Sequence, residues 1–99
     1  MYHVWTRATD RRVFCLDAED RSRFVRLLAL VVLRFDWRCH MYCVLDTHYH
    51  LAIATPQANI DRGMHWLNGV YAQTFNKRHD RFGHLVAERY TTSEAVEGG

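Results

Sequence analysis

The segment from residue 45 to residue 53 constrains the fold more than any other part of this chain. It begins with turn-forming residues and continues with small, β-branched and aromatic ones, which is typical of a turn that leads into a β-strand. Successive side chains of a strand point to opposite faces of the sheet. One face therefore carries the apolar side chains of Tyr49, Leu51 and Ile53. The other face carries His48 and His50, whose Cα atoms would lie about 7 Å apart.

Two imidazoles at this separation can converge on one metal ion, with metal–nitrogen distances of about 2 Å. The plainer interpretation is a pair of surface histidines on a solvated strand face, since short motifs often match by chance. A third hypothesis is a small metal-dependent hydrolase that uses a metal-bound water. That enzyme would need another ligand, for which His40 and Asp46 are the nearby candidates.

The composition is that of one globular domain. The 99 residues are 48% hydrophobic and 24% charged, enough to bury a single core. The net charge of +2 permits nucleic-acid binding without indicating it. An odd number of cysteines and no secretory signal predict reduced thiols and a cytoplasmic protein. The longest apolar run, Leu27 to Leu33, is too short to span a bilayer, so no membrane partner is expected.

Hydrophobic periodicity predicts six elements in the order strand, helix, strand, strand, helix, strand. The predicted ranges are 2–9, 18–35, 37–44, 48–55, 60–78 and 84–90. Asp17 is the expected N-cap of the first helix, and Ala58 or Asn59 opens the second. This order is the split βαβ arrangement of a ferredoxin-like α+β domain, an antiparallel sheet with both helices on one face. His48 and His50 would then lie on the open face of the sheet.

Both predicted helices have an apolar stripe. The stripe of the first contains Phe24, Leu27, Leu28, Val31 and Phe35, and that of the second contains Ile60, Met64, Leu67, Tyr71 and Phe75. In the first helix Leu30, Val32 and Leu33 extend the apolar surface almost all round, which predicts burial within the chain, with a partner surface as the alternative. Cys39 and Cys43 are expected on the same face of the second strand, too far apart for an unstrained disulfide.

Several segments together resemble a known family. They are Tyr2 to Ala8, Trp37 to Leu45, His48 to Leu51, Leu67 to His79, Gly83 to Leu85, and Arg89 with Tyr90. Across residues 2–90 the sequence resembles the REP-associated tyrosine transposases, a branch of the single-tyrosine HUH transposases. HUH denotes two histidines on either side of one hydrophobic residue in a strand, and Tyr49 is that residue here.

The resemblance implies DNA transposition through metal-dependent cleavage and joining of single-stranded or hairpin DNA. It implies that His48 and His50 bind a divalent ion, Mg²⁺ or Mn²⁺, which stabilises charge at the scissile phosphate. It also implies a tyrosine nucleophile on a further helix, which residues 93–99 do not resemble. The expected division is a transposase-like domain over residues 1–92 that lacks this helix, and a flexible tail over 93–99. The chain alone is therefore expected to bind DNA without cutting it, with no catalytic residue assigned.

Six basic residues are candidates for contacts with DNA phosphates, namely Arg7, Arg11, Arg12, Lys77, Arg78 and Arg81. Trp5, Trp37 and Trp66 could stack on unpaired bases, although packing in the core is the plainer interpretation of each. Tyr42 could face the same open surface as His40, but it is not expected to be the nucleophile. Tyr71 and Tyr90 are expected to be structural. For Tyr71 this follows from its place on an apolar stripe.

The alternative function is that of a non-catalytic module, derived from such a transposase, that holds DNA or another protein. In that case the apolar first helix or an exposed sheet edge would mediate self-association. A homodimer is therefore a further hypothesis.

Overall fold

A computed structural model describes residues 2–8, 14–55, 59–81, 85 and 91–94 of the chain. Its elements, in chain order, are β1 (Tyr2–Arg7), α1 (Ala18–Arg34), β2 (Arg38–Val44), β3 (His48–Ala54), α2 (Ile60–His79) and β4 (Thr91–Glu94). The order of strands and helices is the one that periodicity predicts. Among the described residues, no helix has the length and apolar character needed to cross a membrane.

The four strands form one antiparallel sheet in the order β2-β3-β1-β4. β1 and β3 are therefore its central strands, although 40 residues separate them in the sequence. This order confirms the predicted ferredoxin-like split βαβ topology.

Both helices pack on the face of the sheet that carries Tyr49. The Phe24 ring of α1 lies 4.7 Å from the Tyr49 ring between centroids, and the Tyr49 hydroxyl donates a hydrogen bond to Asn68 Oδ1 of α2. Thr6 of β1 donates to the same hydroxyl at 3.1 Å. The core between these layers includes Val4, Phe24, Leu28, Val31, Tyr49, Leu51, Ile53, Met64, Leu67, Tyr71 and Phe75. Both predicted apolar stripes therefore face the sheet.

The helix starts follow from local chemistry. Asp17 is the N-cap of α1, where its Oδ1 accepts a hydrogen bond from the Asp20 backbone N–H at 3.0 Å. Asn59 is the N-cap of α2, but its side chain makes no capping bond. Its Nδ2 donates to the Phe35 carbonyl instead, and its Oδ1 accepts from Trp37 Nε1 at 2.8 Å. Asn59 thus ties the start of α2 to the end of α1.

The register of β2 changes at His40. Cys39 pairs with Ile53 and Met41 with Ala52, so the strand contains one extra residue, a β-bulge. Cys43 then pairs with His50 on the open side, whereas Cys39 pairs on the side of the core. The predicted placement of Cys39 and Cys43 on one face is wrong, because the extra residue inverts the alternation.

β4 lies beyond the range predicted for the last strand. The predicted range of 84–90 falls outside the described residues except for Leu85, which is buried. In β4, Ser93 pairs with His3 and Glu94 with Tyr2, whereas the sequence predicts a flexible tail for both residues. The sequence of β4 is polar throughout, and at the edge of the sheet a strand can be held by backbone hydrogen bonds without an alternating apolar pattern.

The second half of α1 is more exposed than expected. Leu30 is 54% exposed and Leu33 is 79% exposed. The predicted burial of these two residues is wrong, because the apolar residues that α1 buries are Phe24, Leu28 and Val31, and its outer side lies in solvent.

Candidate functional site

His48 and His50 lie on the open face of the sheet, as the strand alternation predicts. Both are half-buried, while Tyr49 between them is fully buried under the helices. Their ring centroids are 5.0 Å apart and the ring planes are nearly perpendicular, at 81°. The two imidazoles are thus neighbours on the solvent side of a central strand.

Each of these two rings is held through its Nδ1 atom. His48 Nδ1 lies 3.0 Å from the Thr47 hydroxyl oxygen, and His50 Nδ1 lies 3.2 Å from Nε2 of His3. Metal-binding histidines in proteins are commonly oriented by such a bond to the nitrogen that does not bind the metal. The Nε2 atom of each ring is therefore the one that would bind a metal.

The site contains a third histidine that sequence reasoning missed. β1 lies beside β3 with Trp5 opposite His50 and Arg7 opposite His48, so the outward residues of β1 border the histidine pair. The His3 ring stacks on the His50 ring at 5.3 Å between centroids, with 21° between planes. The alternation of β1 already places His3 on one face with Trp5 and Arg7. Only the pairing of β1 with β3 shows that this face lies beside His50.

The three strands nearest the histidine pair lack acidic residues. β1, β2 and β3 contain no Asp or Glu. Burial lowers the pKa of His50, and His48, His3 and Arg7 lower it further through their charges. The lowered pKa favours the neutral imidazole, which is the form that binds a metal.

Neither candidate for another metal ligand is placed with the pair. His40 is exposed at the bulge of β2, and the Asp46 carboxylate lies 3.7 Å from Arg21 of α1. Within the described part of the chain there is no group of three or more His, Cys, Asp or Glu residues suited to a metal ion. The two imidazoles offer a divalent ion two nitrogen ligands, which is a partial ligand set that oxygen ligands would complete.

The described tyrosines considered as nucleophiles do not face the histidine pair. Tyr71 is buried, donates its hydroxyl hydrogen to the Phe14 carbonyl at 2.6 Å, and lies 3.4 Å from the Cys15 sulfur. Burial raises the pKa of the Tyr71 phenol well above its usual value, which opposes ionisation. Tyr42 pairs with Leu51 and so takes the core-side position of its strand. Tyr90 lies outside the described residues.

The candidate basic residues have different surroundings. Arg7 ends β1 in an exposed position opposite His48, and Lys77 is exposed on α2. Arg81 lies over the Phe75 ring, 5.8 Å from its centroid. Arg11 and Arg12 lie outside the described residues. Among the described candidates, Arg7 is the one that the sheet brings beside the histidines.

Arg78 is engaged in a cluster that joins the start of α1 to the end of α2. It donates hydrogen bonds to Asp17 Oδ1 at 2.8 Å and to Asp20 Oδ1 at 2.7 Å. Asp20 is buried, and its Oδ2 also lies 2.8 Å from His79 Nε2. Arg78 thus compensates a buried carboxylate, which is a structural role.

The three tryptophans differ in their burial and in their neighbours. Trp37 is buried against Gly63, and Trp66 is half-buried against the core. Trp5 is half-buried on the open face, where its ring lies 6.4 Å from that of His50. The core interpretation holds for Trp37, whereas Trp5 belongs to the site.

Comparison with known proteins gives one family and one fold. The family model described as "Transposase IS200 like" matches residues 1–96. No curated protein matches the chain. A structure of a REP-associated tyrosine transposase bound to a REP hairpin superposes with a TM-score of 0.79 at 9% identity, over 97% of this chain and 56% of that one. A crystal structure described as a transposase from Deinococcus radiodurans R1 superposes with a TM-score of 0.73 at 20% identity, over 98% of this chain and 80% of that one.

At these low identities, the TM-scores of 0.79 and 0.73 show that the fold is shared. This chain spans little more than half the length of the hairpin-bound transposase.

Proposed function

Because this chain belongs to the IS200-like transposase family, we propose that its open sheet face binds single-stranded or hairpin DNA and that His48 and His50 hold a divalent ion, Mg²⁺ or Mn²⁺, there. The observation that carries the proposal is the position of the two imidazoles. They lie side by side on a central strand, each ring is oriented through Nδ1, and both face away from the core. The hairpin bound to the structural neighbour supports DNA as the partner.

The residues of this face have distinct proposed roles. His48 and His50 supply two nitrogen ligands, and Thr47 and His3 fix the orientation of their rings. Arg7, opposite His48, is placed to neutralise a phosphate next to the ion. A divalent ion bound here would stabilise the charge that develops on a phosphate during strand cleavage. We place the chain, more narrowly, among the REP-associated tyrosine transposases.

We do not assign the nucleophile to any described tyrosine. Tyr71 is buried and hydrogen-bonded, and Tyr42 takes a core-side register position. We propose that these 99 residues bind DNA and metal without cleaving DNA by themselves. Incubation with Mn²⁺ and a labelled oligonucleotide, followed by denaturing electrophoresis, should give no covalent adduct. A tyrosine-linked adduct would contradict this part of the proposal.

The metal site is tested by Mn²⁺ binding measured with electron paramagnetic resonance. The wild-type chain should bind one Mn²⁺, and the double variant with His48→Ala and His50→Ala should lose that binding. His65→Ala is the matched control, because His65 is exposed on α2, away from the site. Equal binding by the double variant and the control would overturn the assignment.

DNA binding is tested by fluorescence anisotropy at low salt with a single strand and with a hairpin. Binding to at least one of them is expected, and it should weaken as salt rises because phosphate contacts release counterions. Failure to bind either one in the presence of Mn²⁺ would refute the proposed function.

The second candidate function is a non-catalytic binding module that self-associates. The exposed apolar side chains of Leu30 and Leu33 on α1, and of Met41 and Tyr42 on the edge strand β2, favour it. Light scattering across a range of concentrations would detect a homodimer. A monomer at all concentrations would contradict self-association.

A further inference from the structure

Three aromatic rings form a continuous cluster on the open face of the sheet. The Trp5 ring lies 5.1 Å from the His3 ring and 6.4 Å from the His50 ring between centroids. His3 and His50 are themselves 5.3 Å apart and nearly parallel, at 21°. The cluster spans the two central strands, β1 and β3.

The cluster is not part of the hydrophobic core. Val4 and Thr6, the neighbours of Trp5 in β1, are buried on the side of the helices, so Trp5 points to the opposite side. A tryptophan on the solvent side of a central strand leaves a large flat apolar surface partly exposed. That surface suits a flat aromatic ligand.

The charges around the cluster restrict which aromatic ligand fits. Arg7 lies two residues after Trp5 in β1, on the same face. Arg38 of β2 is exposed and pairs with Ala54, which lies on the same face of β3 as His48 and His50. β1, β2 and β3 carry no carboxylate to repel an anion. A ligand that is both flat and anionic matches this face, and an unpaired nucleotide of a DNA strand has both properties.

We propose that Trp5, supported by His3, is a stacking platform for one unpaired nucleobase of the DNA strand whose phosphate lies at Arg7 and the histidine pair. The inference rests on the proposed function, since it concerns the same strand of DNA. It adds a contact that does not depend on the metal and that requires the base to be unpaired. Antiparallel sheets in other proteins bind single strands in this way, through aromatic residues on their central strands.

The test is the affinity for a short oligothymidine, measured by fluorescence anisotropy at low salt in EDTA. Trp5→Ala should bind oligothymidine roughly 5- to 150-fold more weakly than the wild type, because it loses the stacking of one base. Trp5→Phe keeps a flat ring and should restore most of the affinity. Trp66→Phe is the matched control, because Trp66 lies on α2 against the core, and it should bind like the wild type.

A second arm separates stacking from a merely structural effect. An oligonucleotide with abasic sites keeps its phosphates but has no bases to stack. The wild-type chain should bind this abasic strand more weakly than it binds oligothymidine. Trp5→Ala should bind the two strands with equal affinity. Circular dichroism and Mn²⁺ binding of Trp5→Ala should match the wild type.

The outcomes distinguish this inference from the proposed function. If the wild type binds DNA and Trp5→Ala binds equally well, or if abasic sites have no effect, the platform is wrong and the proposed function stands. If Trp5→Ala binds DNA more weakly than the wild type with Mn²⁺ but equally well in EDTA, Trp5 acts by positioning His50 and the platform is again wrong. If the wild type binds no DNA at all, both proposals fail.

Discussion

At the scale of single residues, the two glycines of α2 show how the same residue type serves different purposes. A Cβ atom at Gly63 would collide with the Trp37 indole, whereas a Cβ at Gly69 would meet open space. We predict that Gly63→Ala lowers the free energy of unfolding by about 1–3 kcal/mol through overpacking. Gly69→Ala should raise it by about 0.5–1 kcal/mol, since alanine favours a helix. Urea denaturation measures both, and similar effects of the two variants would contradict the packing of Trp37 on α2.

Asp17 makes a residue-scale prediction about acid stability. A hydrogen bond from Arg78, and a second from the Asp20 backbone, lower the pKa of Asp17 below its usual value. A carboxylate whose pKa is lower in the folded state stabilises the fold above its unfolded pKa of about 3.9, and loses that effect as the pH falls further. Asp17→Asn keeps a good N-cap but removes the charge.

Asp17→Asn should therefore be less stable than the wild type at pH 6, and the difference should shrink as the pH falls below about 4. Urea denaturation from pH 6 to pH 2.5 measures it. Asp36→Asn is the control, since Asp36 is exposed and its φ of 55° is tolerated by asparagine. A difference between wild type and Asp17→Asn that stays constant with pH would contradict the role of the carboxylate.

At the scale of elements, α1 shows the limit of apolar content as a guide to burial. Leu28 is buried and Leu33 is 79% exposed, although both are leucines of one helix. The free energy of unfolding should fall by about 2–5 kcal/mol in Leu28→Ala, which leaves a cavity. Leu33→Gln should change it by less than about 0.5 kcal/mol. Thermal or urea unfolding decides, and a large loss in Leu33→Gln would mean that the outer side of α1 is covered.

The edge strand β2 makes the same point for strands. One extra residue at His40 moves Cys43 to the side of His50 and Tyr42 to the side of Leu51. Local alternation cannot reveal such a bulge, because only pairing with β3 defines it. The assignment of faces from sequence is therefore sound in β3 and unsound in β2.

At the scale of the whole molecule, the sheet separates stability from the proposed function. The described core lies between the helices and the Tyr49 face, whereas the histidine pair lies on the other face. We predict that the chain unfolds in a single cooperative transition in EDTA, because its core does not depend on a metal. Calorimetry measures this, and loss of the transition in EDTA would show that the chain folds around a metal.

The amino-acid sequence by itself determined the order of elements, the N-cap at Asp17 and the opposite faces of Tyr49 and the histidine pair. These features depend on local periodicity and local hydrogen bonds, which neighbouring residues specify. Only the tertiary structure decided that His3 and Trp5 lie against His50, and that Arg78 is bound to Asp20. Those contacts depend on which strands pair, in which register, and on how two helix ends meet. Such pairings join residues 47 and 58 positions apart, and no local pattern encodes them.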